Sequence, residues 1–285
     1  MFRVFFILLF FITYSSFALT VKGFKADKVV EYKKTAKSPL HLHMFFPKDY
    51  NPKKDSRPAI VFFFGGGWSG GSPSQFYPFS KHLASQGIVA IAAEYRTKKS
   101  HGTNPDSCIK DGKSAIRWIR AHAKEYGVDP KRIAAGGGSA GGHVAAATGT
   151  TTTIVEKGED SSVSSWPNAL VLFNPVLDNG PKGYGHSRVK GYWQDFSPMH
   201  NMDKNVPPSI FFLGTKDNLI PVETGEKWNQ LVKAQGQKSE LHLWEGQPHG
   251  FFNYGKTKGP NGGKVYNEIL NKMAAFLKEI NFIKK

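Results

Sequence analysis

Ten residues near the middle of the chain, AAGGGSAGGH at 134–143, set five glycines around one serine, Ser139, directly after a short apolar run. Within them Gly137-Gly138-Ser139-Ala140-Gly141 has the spacing G-x-S-x-G, and the flanking residues read as a strand before it and a helix after it. A sharp strand-to-helix turn lifts the serine hydroxyl clear of the sheet on a strained backbone, and glycines two before and two after keep strand and helix from colliding with it. An ordinary Gly-rich turn or a phosphate loop uses the same letters, but no Walker-type lysine follows here.

A serine hydroxyl is a weak nucleophile until a base takes its proton, and an imidazole base needs a carboxylate to orient it. Asp217, in FFLGTKDNLIPV, follows a strong apolar strand, and His249, in LWEGQPHGFF, follows the next and last one. All three groups are therefore expected at the C-terminal ends of strands, where ligands bind in open α/β sheets. Asp178, after LVLFNPVLD, is the competing acid. His143 lies too close along the helix to swing back over Ser139 and reads as a packing histidine, while His101, His186 and His200 have no strand before them at the right place. The run FFFGGGWSGGS completes the set: acyl transfer builds negative charge on a carbonyl oxygen, and the amides of Gly66, Gly67 and Ala140 are the expected donors to it. Trp68, next to them, would line the substrate pocket or pack.

The elements that must hold these groups follow from the hydrophobic pattern. Apolar runs at 40–47, 58–64, 88–95, 132–138, 169–175, 209–215 and 240–246 read as strands, several of them continuous enough to be covered on both faces. Helical character falls between them, at 74–86, 105–126, 140–148, 222–234 and 265–278. In the second of these Ile109, Ile116, Ile119 and Ala123 recur at helical spacing and Pro105 is placed to start the helix. The alternation predicts an α/β fold with a mostly parallel central sheet and helices on both faces. The exception is 177–208, a long Gly/Pro-rich connection holding Tyr184, Tyr192 and Trp193, expected to be a lid or substrate rim with Tyr192 and Trp193 as substrate contacts.

Composition bounds the rest. The first residues carry Arg3, nine apolar residues from Val4 to Ile12, and a small-x-small pattern at Ser16 to Ala18. This predicts a cleaved signal peptide over 1–18, one domain over 19–285, and a secreted or periplasmic protein. Nine apolar residues are too few for a membrane anchor, which needs about 20. Cys108 is the single cysteine, so no internal disulfide is possible, and it reads as a small buried side chain. The net charge of +16 is spread over scattered lysines rather than gathered with aromatics, which argues against nucleic acid as a partner. Histidines and carboxylates show no paired ligand spacing, so neither metal nor cofactor is expected.

Taken together, FFFGGGW, GVDPKRIAAGGGSAGGHVAA, LGTKDNLIPV and PHGFFN resemble the α/β-hydrolase-fold esterases, the group that includes carboxylesterases related to hormone-sensitive lipase, acetylxylan esterases and feruloyl esterases. The resemblance spans about residues 29–280. It implies a Ser-His-Asp hydrolase of carboxylic esters, with Ser139, Asp217 and His249 as its catalytic residues, Gly66, Gly67 and Ala140 at its oxyanion positions, and no cofactor. Many members carry histidine before the three glycines; this chain has Phe64, which bears on the hydrogen-bonded support of the loop and not on the glycine donors. Exported members of this kind act on acetyl or feruloyl esters of polysaccharides such as xylan. A lipase or exopeptidase of the same fold, or a noncatalytic carbohydrate-binding protein on this scaffold, are the alternative expectations.

Overall fold

The computed structural model describes residues 23–260 and 262–283; the expected signal peptide at 1–18 lies outside the described residues. One eight-stranded sheet organises the chain: β1 (Lys28–Lys33), β2 (Leu40–Phe45), β3 (Arg57–Phe63), β4 (Val89–Ala93), β5 (Val128–Gly138), β6 (Ala169–Phe173), β7 (Ser209–Gly214) and β8 (Ser239–Trp244). Their spatial order is β1-β2-β4-β3-β5-β6-β7-β8. The first two strands pair antiparallel, with each other and with β4, and every later pairing is parallel. The mostly parallel α/β sheet expected from the pattern is the one observed.

Side chains alternate across it. On β3, Val61 and Phe63 point into one apolar layer while Ile60 and Phe62 point into the other. The first layer is covered by α3 (Asp106–Ala121), α4 (Ala140–Thr148) and α7 (Val222–Ala234), which contribute Ile109, Ile116, Val144, Trp228 and Val232. The second is covered by α1 (Tyr77–Ser85) and α8 (Lys264–Glu279), which contribute Phe79, Leu83, Ile269, Met273 and Phe276, and a single-turn α2 (Lys98–His101) lies between β4 and α3. Two-sided cover is why the central strands read as unbroken apolar runs rather than alternating ones.

Several boundaries differ from the sequence expectation for identifiable reasons. The strand β1, KVVEYK, was not expected, because an edge strand half open to water carries charges on its outer positions. Its Lys33 reaches inward to Asp111, 2.8 Å away and fully buried, which Arg96 also grips at 2.7 Å. The second long helix stops at Ala121 rather than running to 126, since the chain must turn at Gly127 (φ +49°), where a side-chain carbon would sit 2.9 Å from the Pro52 Cα. Cys108 is buried and its thiol is pushed well above its ordinary pKa, first by that burial. The 177–208 connection carries two single-turn helices, α5 (His186–Val189) and α6 (Trp193–Phe196), and a 3-10 turn at Pro198–Asn201. Among the described residues no helix is long and apolar enough to cross a membrane.

Candidate active site

Ser139 sits at the junction of β5 and α4 with φ 54° and ψ −120°, a region that side chains seldom occupy. The strain is held from both sides. Its N–H donates to the Phe173 carbonyl at 2.8 Å, and its carbonyl accepts from the N–H groups of His143 and Val176 at 3.0 and 3.2 Å. The flanking glycines are required by close approach: a Cβ on Gly137 would lie 2.4 Å from the Gly141 carbonyl oxygen, and one on Gly141 would lie 2.0 Å from that of Phe63. Only hydrogen at these positions lets the helix begin hard against the end of β3.

Asp217 follows β7 and His249 follows β8, and Asp217 Oδ2 lies 2.7 Å from His249 Nδ1. The carboxylate is fully buried and accepts four hydrogen bonds: Oδ1 takes the N–H groups of Leu219 and Ile220 at 2.9 and 3.0 Å, and Oδ2 takes His249 Nδ1 and the Asn174 side-chain amide. Burial would raise the Asp217 pKa, but the bonds from His249, Leu219 and Ile220 outweigh it and hold the carboxyl below its ordinary value. His249 is thereby fixed as the Nδ1–H tautomer, leaving Nε2 as the free basic nitrogen. Ser139 and His249 line one cavity of about 680 Å³, with no direct hydrogen bond between them in this conformation. A serine and a basic imidazole in that relation support proton removal from the hydroxyl, the contact tightening once a substrate is seated.

The glycine loop after β3 forms the opposite wall. Gly66 has φ +129° and a Cβ there would stand 2.2 Å from the Gly70 carbonyl oxygen, so the turn admits glycine alone. Among the described residues the amides of Gly66, Gly67 and Ala140 donate to no protein acceptor, as a group waiting for an oxyanion requires. Phe64 answers the missing histidine in its own way. Its ring stacks on Tyr95 with centroids 4.1 Å apart, and the Tyr95 hydroxyl donates to the Phe64 carbonyl at 2.5 Å.

Sequence reasoning missed the residues that tie these loops together. Gln75 accepts the Gly65 N–H at 2.7 Å and donates to the Asn253 side-chain oxygen at 2.8 Å, while the Asn253 amide donates to the Gly250 carbonyl at 2.8 Å. One side chain thus spans from the glycine loop to the loop of His249. Gln75→Leu should lower kcat about tenfold with the fold retained, because it leaves the Gly65 amide unmet and frees the two loops to drift apart. Steady-state kinetics beside a thermal melt check this, and Gln75→Glu, which keeps the acceptor for Gly65, should recover part of the rate. Asn174, at φ 41° after β6, is the second such residue. Neither had a spacing signal, since both act through contacts between distant segments.

Other expectations require correction. Trp68, Tyr192 and Trp193 do not line the Ser139 cavity. Trp68 is 2% exposed and packs edge-on to His143 and Phe196 at 5.1 and 5.5 Å. Tyr192 packs edge-on against Phe196, and Trp193 lies between His186 and His200. The turns of 177–208 fold Tyr192 onto the buried Phe196 and instead offer the cavity Tyr184 and Arg188. Asp178 faces away from His249: its Oδ1 accepts the Gly180 N–H at 2.7 Å and lies 3.8 Å from His200. His143 is buried with Nε2 at 3.1 Å from the Phe196 carbonyl oxygen, and burial pulls its pKa down to about 3, so it packs as a neutral ring. Among the described residues no three or more His, Cys, Asp or Glu side chains gather as metal donors.

Comparison with known proteins identifies the family. The family profile described as BD-FAE matches residues 42–179. Esterase LipC of Mycobacterium tuberculosis is 30% identical over 249 residues, which is 78% of this chain and 61% of LipC. A plant relative from Arabidopsis thaliana is 28% identical and matched over 48% of its own length, so the chain spans roughly half to three fifths of these curated relatives. Among solved structures, a thermophilic esterase from Thermogutta terrifontis with propionate bound superposes at a TM-score of 0.84 with 43% identity, covering 90% of this chain and 96% of that one. Likeness at 43% identity over nearly the full length of both chains shows that this chain belongs to the α/β-hydrolase-fold carboxylesterases related to hormone-sensitive lipase.

Proposed function

We propose that the protein is a serine carboxylesterase working through an acyl-enzyme. Ser139 Oγ attacks the ester carbonyl while His249 Nε2 takes its proton. The amides of Gly66, Gly67 and Ala140 receive the developing negative charge, and His249 returns the proton to the departing alcohol. Water then repeats the cycle on the acyl group. Asp217 keeps the imidazole in the tautomer this requires. The observation that carries the reading is the strained Ser139 turn sharing one cavity with a histidine that is hydrogen-bonded to a fully buried carboxylate.

Short acyl groups are the cargo this reading favours, because the Thermogutta terrifontis esterase has been solved with propionate and with butyrate bound. The N-terminal charge and apolar run support export, and with export an acetyl ester on a polysaccharide such as xylan becomes the natural substrate class. Acetate release from acetylated xylan, measured beside hydrolysis of para-nitrophenyl acetate and butyrate, tests both levels. Turnover of all three is expected. Turnover of the small esters alone would withdraw the polysaccharide and leave the esterase, and turnover of none would withdraw the esterase.

A further inference from the structure

We propose that Arg188 forms an anion subsite at the mouth of the Ser139 cavity, so that the preferred substrates are esters carrying a carboxylate close to the scissile bond. The inference rests on the esterase reading above and names its substrate class. Arg188 lies on α5, and one guanidinium nitrogen donates to the Gly67 carbonyl at 2.9 Å. The guanidinium carbon stands 5.6 Å from the Tyr184 ring centre and 5.9 Å from that of Trp68, within cation–π range of both. The group is therefore held in place beside the oxyanion loop by contacts that leave its charge uncancelled.

Its electrostatic setting sets it apart. Arg57, Arg96, Arg117 and Arg132 each pair with an Asp or Glu and Arg120 is spent on three backbone carbonyls and the Asn168 side-chain oxygen, whereas Arg188 has no carboxylate partner among the described residues and only one hydrogen bond, to Gly67. The cavity wall contains no Asp or Glu, and the nearest carboxylate of the site, Asp217, is sealed behind His249. A guanidinium has five N–H donors in a planar fork; with one spent on Gly67, enough remain for a carboxylate to dock with both oxygens. The chain's net charge of +16 draws anions toward the surface generally, and Arg188 gives that attraction a fixed point next to Ser139.

The test compares paired esters with and without a negative charge, each rate corrected for the uncatalysed hydrolysis of the same ester: para-nitrophenyl hemisuccinate against its methyl ester, with the charge on the acyl side, and para-acetoxybenzoate against its methyl ester, with the charge on the alcohol side. The quantity read is the ratio of kcat/KM, anionic over neutral, in the wild type, Arg188→Gln and Arg188→Lys. The wild type should favour the anion in at least one pair, which also tells on which side it docks. Arg188→Gln should lower that ratio about fivefold, a modest figure because Arg188 is exposed to solvent, and Arg188→Lys should keep most of it. Added salt should shrink the wild-type ratio toward that of Arg188→Gln.

A purely structural role for Arg188, strapping Gly67 in place, would lower both rates together and leave the ratio where it was. That result, or a wild-type ratio of one in both pairs, overturns the subsite while leaving the esterase reading intact. Failure of the wild type to cleave the neutral esters would overturn the esterase reading instead. Calorimetric binding of uncleaved para-acetoxybenzoate to the wild type and to Arg188→Gln would still decide the subsite, which is lost if the two bind it equally.

Discussion

Ser139→Ala is expected to lower kcat/KM for a short para-nitrophenyl ester by about 10⁴-fold or more while leaving the thermal melt close to that of the wild type. The rate falls because no other hydroxyl stands at the head of α4 with the free amides beside it. The melt holds because the strained backbone is anchored through main-chain groups, the Ser139 N–H to Phe173 and its carbonyl to His143 and Val176, which alanine retains. Alanine carries the same Cβ as serine, so the positive φ is no harder to hold. Rate loss accompanied by collapse of the melt would mean that the hydroxyl is structural, and turnover at the wild-type rate would remove Ser139 from the mechanism.

Asp217→Asn should lower kcat/KM by about 10⁴-fold as well, with some loss of stability in addition. The reason lies in the count of donors around the carboxylate. Four N–H groups converge on its two oxygens, from Leu219 and Ile220 on one side and from His249 and Asn174 on the other. An asparagine has one oxygen and one NH2. Turned with its oxygen toward Leu219 and Ile220, it drives an NH2 against His249 and forces the imidazole into the opposite tautomer; turned the other way, it opposes two buried backbone amides. Kinetics at neutral pH and a denaturant titration measure the two effects. Activity near that of the wild type would mean that another carboxylate orients His249.

The same environment predicts a pH dependence. The folded pKa of Asp217 is lower than that of the unfolded chain, so the carboxylate's contribution to stability is complete above the unfolded value, near 4, and is lost as pH falls through the folded one. Wild-type stability measured through that acid range should therefore fall more steeply than that of Asp217→Asn, which has no proton to gain at this site.

The alternative scaffold functions are distinguishable by site chemistry. A carbohydrate-binding protein needs no free amides aimed into its groove, and a lipase needs a broad apolar face around it. Here Leu219, Phe252 and Tyr184 supply the large apolar side chains of a wall whose other residues are glycine, serine, glutamine, asparagine, arginine and His249.

The chain alone determined those features whose cause is local. Seven of the eight strands were legible, the central β3, β4, β6 and β7 because burial on both faces demands apolar residues along almost their whole length, and the turn at Ser139 was legible because two backbones approaching within van der Waals contact leave room only for hydrogen at Gly137 and Gly141. Asp217 and His249 were legible because each follows a readable strand within a few residues. What periodicity could not carry was any relation across the sheet. The edge strand β1 is stabilised by Lys33 reaching Asp111, 78 residues on, and Gln75 acts by meeting Asn253, 178 residues away. Tyr184 and Arg188 face the cavity, while Tyr192 and Trp193, from the same segment and of the types a reader would choose, pack away from it, on Phe196 and between His186 and His200. That choice belongs to the tertiary structure, because the side of a short helix that faces the substrate is set by which of its residues can bury against Phe196 and Trp68 and not by its own sequence.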